Sequence, residues 1–148
     1  MGCYNMTMDE IKSILDTILD KVQCLYDVPN EEDWAHLSKK FNCMFDEDFK
    51  NFIQLMSEYE FPGDLFNVSS GKTNGNDNIS FVYDYEIRSG KWNPEFIPFY
   101  GIGNGDYFCI SAEKNPNSPV YYFFHEDCRF ECYSNSFEEW IKGLPDFL

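Results

Sequence analysis

Apolar residues recur at helical spacing over the first sixty positions. Ile11, Ile14, Leu15, Ile18, Leu19, Val22 and Leu25 share one face. Thr7 and Glu10 form a capping-box pair ahead of them, which predicts a first helix over about 8–25. Asp27-Val28-Pro29 ends it, and Asn30 caps a second helix carrying Trp34, Leu37 and Phe41. A break at Asn42-Cys43 leads to Asp46 as the cap of a third helix, with Phe49, Phe52, Ile53 and Met56 as its stripe. Residues 69–78 hold almost no apolar side chain and read as an exposed loop.

The period then changes from 3.6 to 2. Ile79, Phe81, Tyr83 and Tyr85 alternate with Ser80, Val82, Asp84 and Glu86, which predicts a half-buried strand. Further strands are expected at 95–100, 106–111, 119–125 and 129–133. Asn104-Gly105 supplies a hairpin turn between the second and third of these five. Ser136 and Glu139 form a second capping pair before Phe137, Trp140, Ile141 and Leu144. Helices, then clustered strands, then one helix predict a single α+β domain over residues 1–148. Its sheet should be mostly antiparallel with four to six strands, the N-terminal helices and a C-terminal helix packing against it.

Charge narrows the function. The chain has 26 acidic and 11 basic residues among 148, a formal net charge of −15. That sign disfavours nucleic acid and anionic membranes as direct partners and favours a basic protein. No apolar run reaches the roughly 20 residues a membrane span needs. The N-terminus shows no signal-peptide succession, and Met6 stands where myristoylation expects Ser or Thr, so a cytoplasmic location is expected. Cysteines 3, 24, 43, 109, 128 and 132 contain no C-x-x-C pair and read as reduced residues without zinc.

Little in the chain predicts catalysis. His36 lies on a helix without a ligand at helical spacing, and His125-Glu126-Asp127-Cys128 reads as a turn between strands. Gly101-x-Gly103-x-Gly105 leads into a strand, whereas a phosphate-binding loop leads into a helix. No metal, cofactor or catalytic set is expected. The expected partner-binding residues are Asp84, Glu86, Trp92, Tyr100, Asp106, Glu126 and Asp127, aromatics and acids of the sheet half. Core packing of Trp92 and Tyr100 is the competing reading.

An ordered series of segments resembles a known family. It runs from Trp34 through Asp46-x-Asp48-Phe49-Lys50-x-Phe52-Ile53 to Phe96-Ile97-Pro98-Phe99, the Gly101–Asp106 turn and Tyr107-Phe108-Cys109-Ile110. Pro119-Val120-Tyr121-Tyr122, His125 and Ser136-Phe137-Glu138-Glu139-Trp140-Ile141 complete it. Together, over about residues 30–144, these look like the SUKH superfamily, the Smi/Knr-type domain, with the first helix as an addition. Two positions depart from it: Phe45-Asp46 stands for a common Leu-Pro, and Ser111 for a common Asp. The resemblance implies a non-enzymatic role. Bacterial members look like immunity proteins that neutralise a toxin, often a nuclease or deaminase; distant members resemble cell-wall regulators, which leaves a regulatory or scaffold module as the alternative.

Overall fold

The computed structural model describes residues 6–22, 28–68 and 78–147. Of the loop expected at 69–78 all but Asn78 lies outside them, as do the end of the first helix at 23–25 and Cys3 and Cys24.

Helix α1 spans Met8–Leu15, opened by the Thr7–Glu10 capping box. It stops seven residues earlier than the apolar period alone allows, if residues up to Val22 are counted. The Thr17 hydroxyl donates to Ile14 O at 2.6 Å, and Asp16 accepts the Tyr59 hydroxyl at 2.6 Å. Side chains that bond backbone and distant partners here compete with further helix. The chain instead runs extended, with Val22 N–H donating to Glu58 O and Glu60 N–H to Asp20 O. Ile18 and Leu19 still reach the core.

Helix α2 (Glu31–Phe41) opens with a capping box between Asn30 and Asp33. Helix α3 (Glu47–Gln54) follows Asp46, whose side chain makes no capping bond. The Asp46 carboxylate instead accepts the Asn117 N–H at 2.9 and 3.1 Å, tying the helical half to the loop after β3.

The five strands are β1 (Asp64–Leu65), β2 (Phe96–Gly101), β3 (Tyr107–Ser111), β4 (Val120–Phe124) and β5 (Arg129–Ser134). They pair antiparallel in sequence order, β1-β2-β3-β4-β5. Pleat alternation sends Phe108, Ile110 and Val120 to one face and Cys109, Tyr121 and Phe123 to the other. The first face meets α1, α3 and α5 (Phe137–Lys142), with Phe49, Phe52, Phe99, Phe137 and Trp140 in mutual ring contact. A four-residue helix, α6 (Leu144–Phe147), closes the chain.

The strand expected at 79–86 is a helix, α4 (Ile79–Arg88). The Asn78 side chain accepts from Ser80 N–H at 2.9 Å and Phe81 N–H at 3.3 Å, a helix cap. Ile79 and Val82 are buried, and Tyr83 and Ile87 pack on the second face of the sheet; these follow helical spacing as well as the alternation did. The change of period therefore falls near residue 96. In place of the lost strand, Asp64–Leu65 pairs with Gly101 and Tyr100.

Candidate binding groove

The exposed side of α4 faces the turn between β2 and β3 across a groove of about 510 Å³. Phe81 and Tyr85, one helical turn apart, form one wall at 45% and 59% exposure. Gly103, Gly105 and buried Asp106 form the other, with Phe66 and Tyr107 between and Asp64 at the rim.

Two glycines set this shape. Gly63 has φ +77°, and a Cβ there would stand 2.4 Å from Gly101 O, so only glycine lets β1 start beside β2. Gly105 has φ +98°, and a Cβ there would sit 3.0 Å from the His125 ring. The Asn104 side chain accepts the Asp106 N–H at 2.9 Å and tightens the same turn.

Asp106 is the hub that fixes the groove wall to the β4–β5 turn. One carboxylate oxygen meets the His125 N–H at 2.8 Å and Nδ1 at 2.6 Å; the other accepts the Tyr122 hydroxyl at 2.7 Å. Burial works against ionisation of Asp106, but the His125 N–H and ring and the Tyr122 hydroxyl outweigh it. They hold the carboxyl below its ordinary range. Burial, and then the bond to Asp106, push the Tyr122 hydroxyl the other way, to a raised pKa.

A carboxylate–histidine pair invites a catalytic reading, and its surroundings do not supply the rest. The Tyr122 hydroxyl donates its hydrogen bond to Asp106, and the Cys128 thiol points to the His125 carbonyl at 3.9 Å, not to the ring. Among the described residues no three His, Cys, Asp or Glu side chains gather as a metal site. Cys43, Cys109, Cys128 and Cys132 are free thiols; burial pushes the Cys43 and Cys109 thiols up, against reactivity.

The sequence-predicted residues separate into three groups. Asp106 lines the groove and bonds His125, and Glu126 and Asp127 follow His125 as exposed residues of the β4–β5 turn. Asp84 and Glu86 lie on a helix, two residues apart, and do not share a face as they would on a strand. Asp84 pairs with Lys40 at 2.7 Å, while Glu86 accepts the Tyr107 hydroxyl at 2.7 Å. Burial first, and that bond second, raise the Tyr107 pKa. Trp92 and Tyr100 are buried. The Trp92 indole donates to Phe96 O at 2.9 Å and packs on Phe123 and Phe130; the Tyr100 hydroxyl donates to Pro62 O. Their side chains belong to the core in this fold. Phe81 and Tyr85 were missed because the strand reading assigned both to the buried face. The Asn78 cap was the available signal.

The family model SUKH_5, described as SMI1-KNR4 cell-wall, matches residues 8–144. The chain belongs to the SUKH family. The matched range includes α1. No curated protein matches the chain. Of the two departures, Phe45 is buried between Trp34 and Phe49 and keeps the apolar anchor. Ser111 is fully buried; its hydroxyl donates to Glu95 at 2.6 Å and its N–H to Ser118 Oγ at 2.8 Å, so a polar position is retained there. No helix among the described residues is long and apolar enough to cross a membrane.

Proposed function

We propose that this SUKH domain is a non-catalytic immunity protein that binds and neutralises a bacterial protein toxin with a basic surface, such as a nuclease or deaminase. The observation that carries this reading is the groove. Exposed Phe81 and Tyr85 stand beside Asp64 and Asp106 in a chain of net charge −15, and none of the described residues that line the groove is cationic. Aromatic anchors give binding energy, and surrounding acids steer a basic partner inward. Asp84, Glu86, Glu126 and Asp127 add to that field, while Trp92 and Tyr100 act from within the core by holding the sheet in shape. An acidic surface of this kind occupies the phosphate-binding face of a nuclease as its substrate does, in the cytoplasm where such a toxin acts. The word "cell-wall" in the family description supports a second reading, a regulatory scaffold module.

The test is co-expression with the toxin encoded beside the gene, followed by association kinetics on the purified pair. Survival of the host cell and a 1:1 complex are expected. Glu126→Lys with Asp127→Lys should slow association about tenfold at low salt and much less at 1 M salt. No complex with that toxin would end the immunity reading. Unchanged low-salt association would move the interface to the acidic helices before residue 60.

A further inference from the structure

Most aromatic faces with a cation in reach are already covered by the chain's own side chains. Lys40 lies over Tyr83 at 5.7 Å, Lys50 over Trp34 at 5.7 Å, Lys114 over Tyr121 at 5.4 Å and Arg129 over Phe124 at 4.1 Å. Phe81 and Tyr85 differ. Neither has a cation or another ring against it among the described residues, although both are more exposed than Tyr83 on the same helix. The acids show the same contrast. Asp84 pairs with Lys40 and Asp127 with Arg129, whereas Asp64 at the groove rim forms no ion pair among the described residues. An aromatic pair and a carboxylate that no described cation covers thus meet in one groove, and a cation from a partner complements both.

We propose that the groove between α4 and the β2–β3 turn receives an arginine side chain of the protein partner, stacked on Phe81 and Tyr85 with its charge toward Asp64. This rests on the reading of the chain as a toxin-binding protein and names what the toxin presents. Arginine fits better than lysine because a guanidinium is planar and weakly hydrated. It stacks on a ring while its N–H groups still bond a carboxylate. Asp106 does not take the charge directly. Its oxygens are occupied by His125 and Tyr122, so it contributes a fixed negative potential behind the turn.

The probe is acetyl-Arg-Arg-amide, titrated into the ¹⁵N-labelled full chain at low salt, with acetyl-Lys-Lys-amide for comparison. Expected are amide shifts concentrated at Phe81, Tyr85, Gly103 and Gly105, and tighter binding of the arginine peptide. Tyr85→Ala and Asp64→Asn should each weaken binding about 2–5-fold. Both side chains are exposed, and thermal unfolding of each variant checks that it folds. The proposal falls if the shifts centre instead on Glu31, Glu32 and Asp33 at the start of α2, or if both variants titrate as wild type. The two readings separate cleanly. A chain that neutralises its toxin with equal affinity in both variants retires the arginine pocket and keeps the immunity function. A titration confined to the groove in a chain that binds no toxin does the reverse.

Discussion

Replacing Asp48 by Asn should make the protein more stable at neutral pH. Asp48 is a carboxylate in the first turn of α3 with 4% exposure. Burial, then repulsion from Asp46, raise its pKa from 3.8 to about 6, against the N–H bonds from Phe49 and Met6. The sign follows from proton counting. From about pH 4 to about pH 6 the unfolded chain releases this proton while the native state keeps it, so stability falls through that window. Above pH 6 the cost is constant. At ~1.4 kcal/mol per pH unit, the gap is worth ~3 kcal/mol. A negative charge near a helix N-terminus returns roughly 0.3–1 kcal/mol, which Asn forfeits. Asn keeps an acceptor oxygen for the Phe49 N–H, now at 2.8 Å. Asp48→Asn should therefore gain about 2 kcal/mol at pH 7.5 and about 0.5 kcal/mol or less at pH 4. Urea unfolding followed by tryptophan fluorescence at both values measures it. A loss at pH 7.5, or the same change at both, would show that Asp48 ionises as an ordinary carboxylate and refute the reasoning.

Asp106 gives the opposite profile. Its pKa is lowered in the folded state, so its contribution is complete above about pH 4 and disappears as pH falls through the native value. Asp106→Asn should cost about 1.5–3 kcal/mol at pH 7, by urea unfolding, with the difference from wild type shrinking below pH 4. Gly105→Ala should cost about 1–3 kcal/mol from its positive φ and the His125 contact. Adding His125→Ala in a double-mutant cycle should recover the contact portion and leave the backbone portion; full recovery would mean the φ carries no strain.

What could be read from the sequence depended on whether a local rule had a rival. The Thr7–Glu10 box and the Asn30 cap had none, and both formed; of the Ser136–Glu139 pair, the Ser136 side chain accepts the Glu139 N–H at 3.1 Å. Strands β2 to β5 were legible because their alternation agreed with the Asn-Gly turn and with runs of aromatic and β-branched residues. Residues 79–88 satisfied two periods at once. Only the Asn78 cap, which the polar run before it concealed, decided between them. Asp46 shows the other limit: its place as a helix cap was local, but its carboxylate went to Asn117, seventy-one residues away. Likewise Asp84, Glu126 and Asp127 are exposed while Asp106 is buried, and the pairing of Asp84 with Lys40 and of Glu86 with Tyr107 is tertiary and left no trace in spacing.

Strand order matching chain order has a consequence for how the molecule assembles and opens. Ladders β2–β3, β3–β4 and β4–β5 are each closed by a short connection, so they need little loop-closure entropy. The β1–β2 ladder is different. It has only two residue pairs and waits for the whole stretch through α4 to return. The four-strand meander is thus built from local pairings, and the β1–β2 ladder carries the larger loop-closure cost. The groove therefore joins two kinds of wall: the glycine turn belongs to the locally paired meander, and Phe81 and Tyr85 ride on a helix inside the long β1–β2 connection.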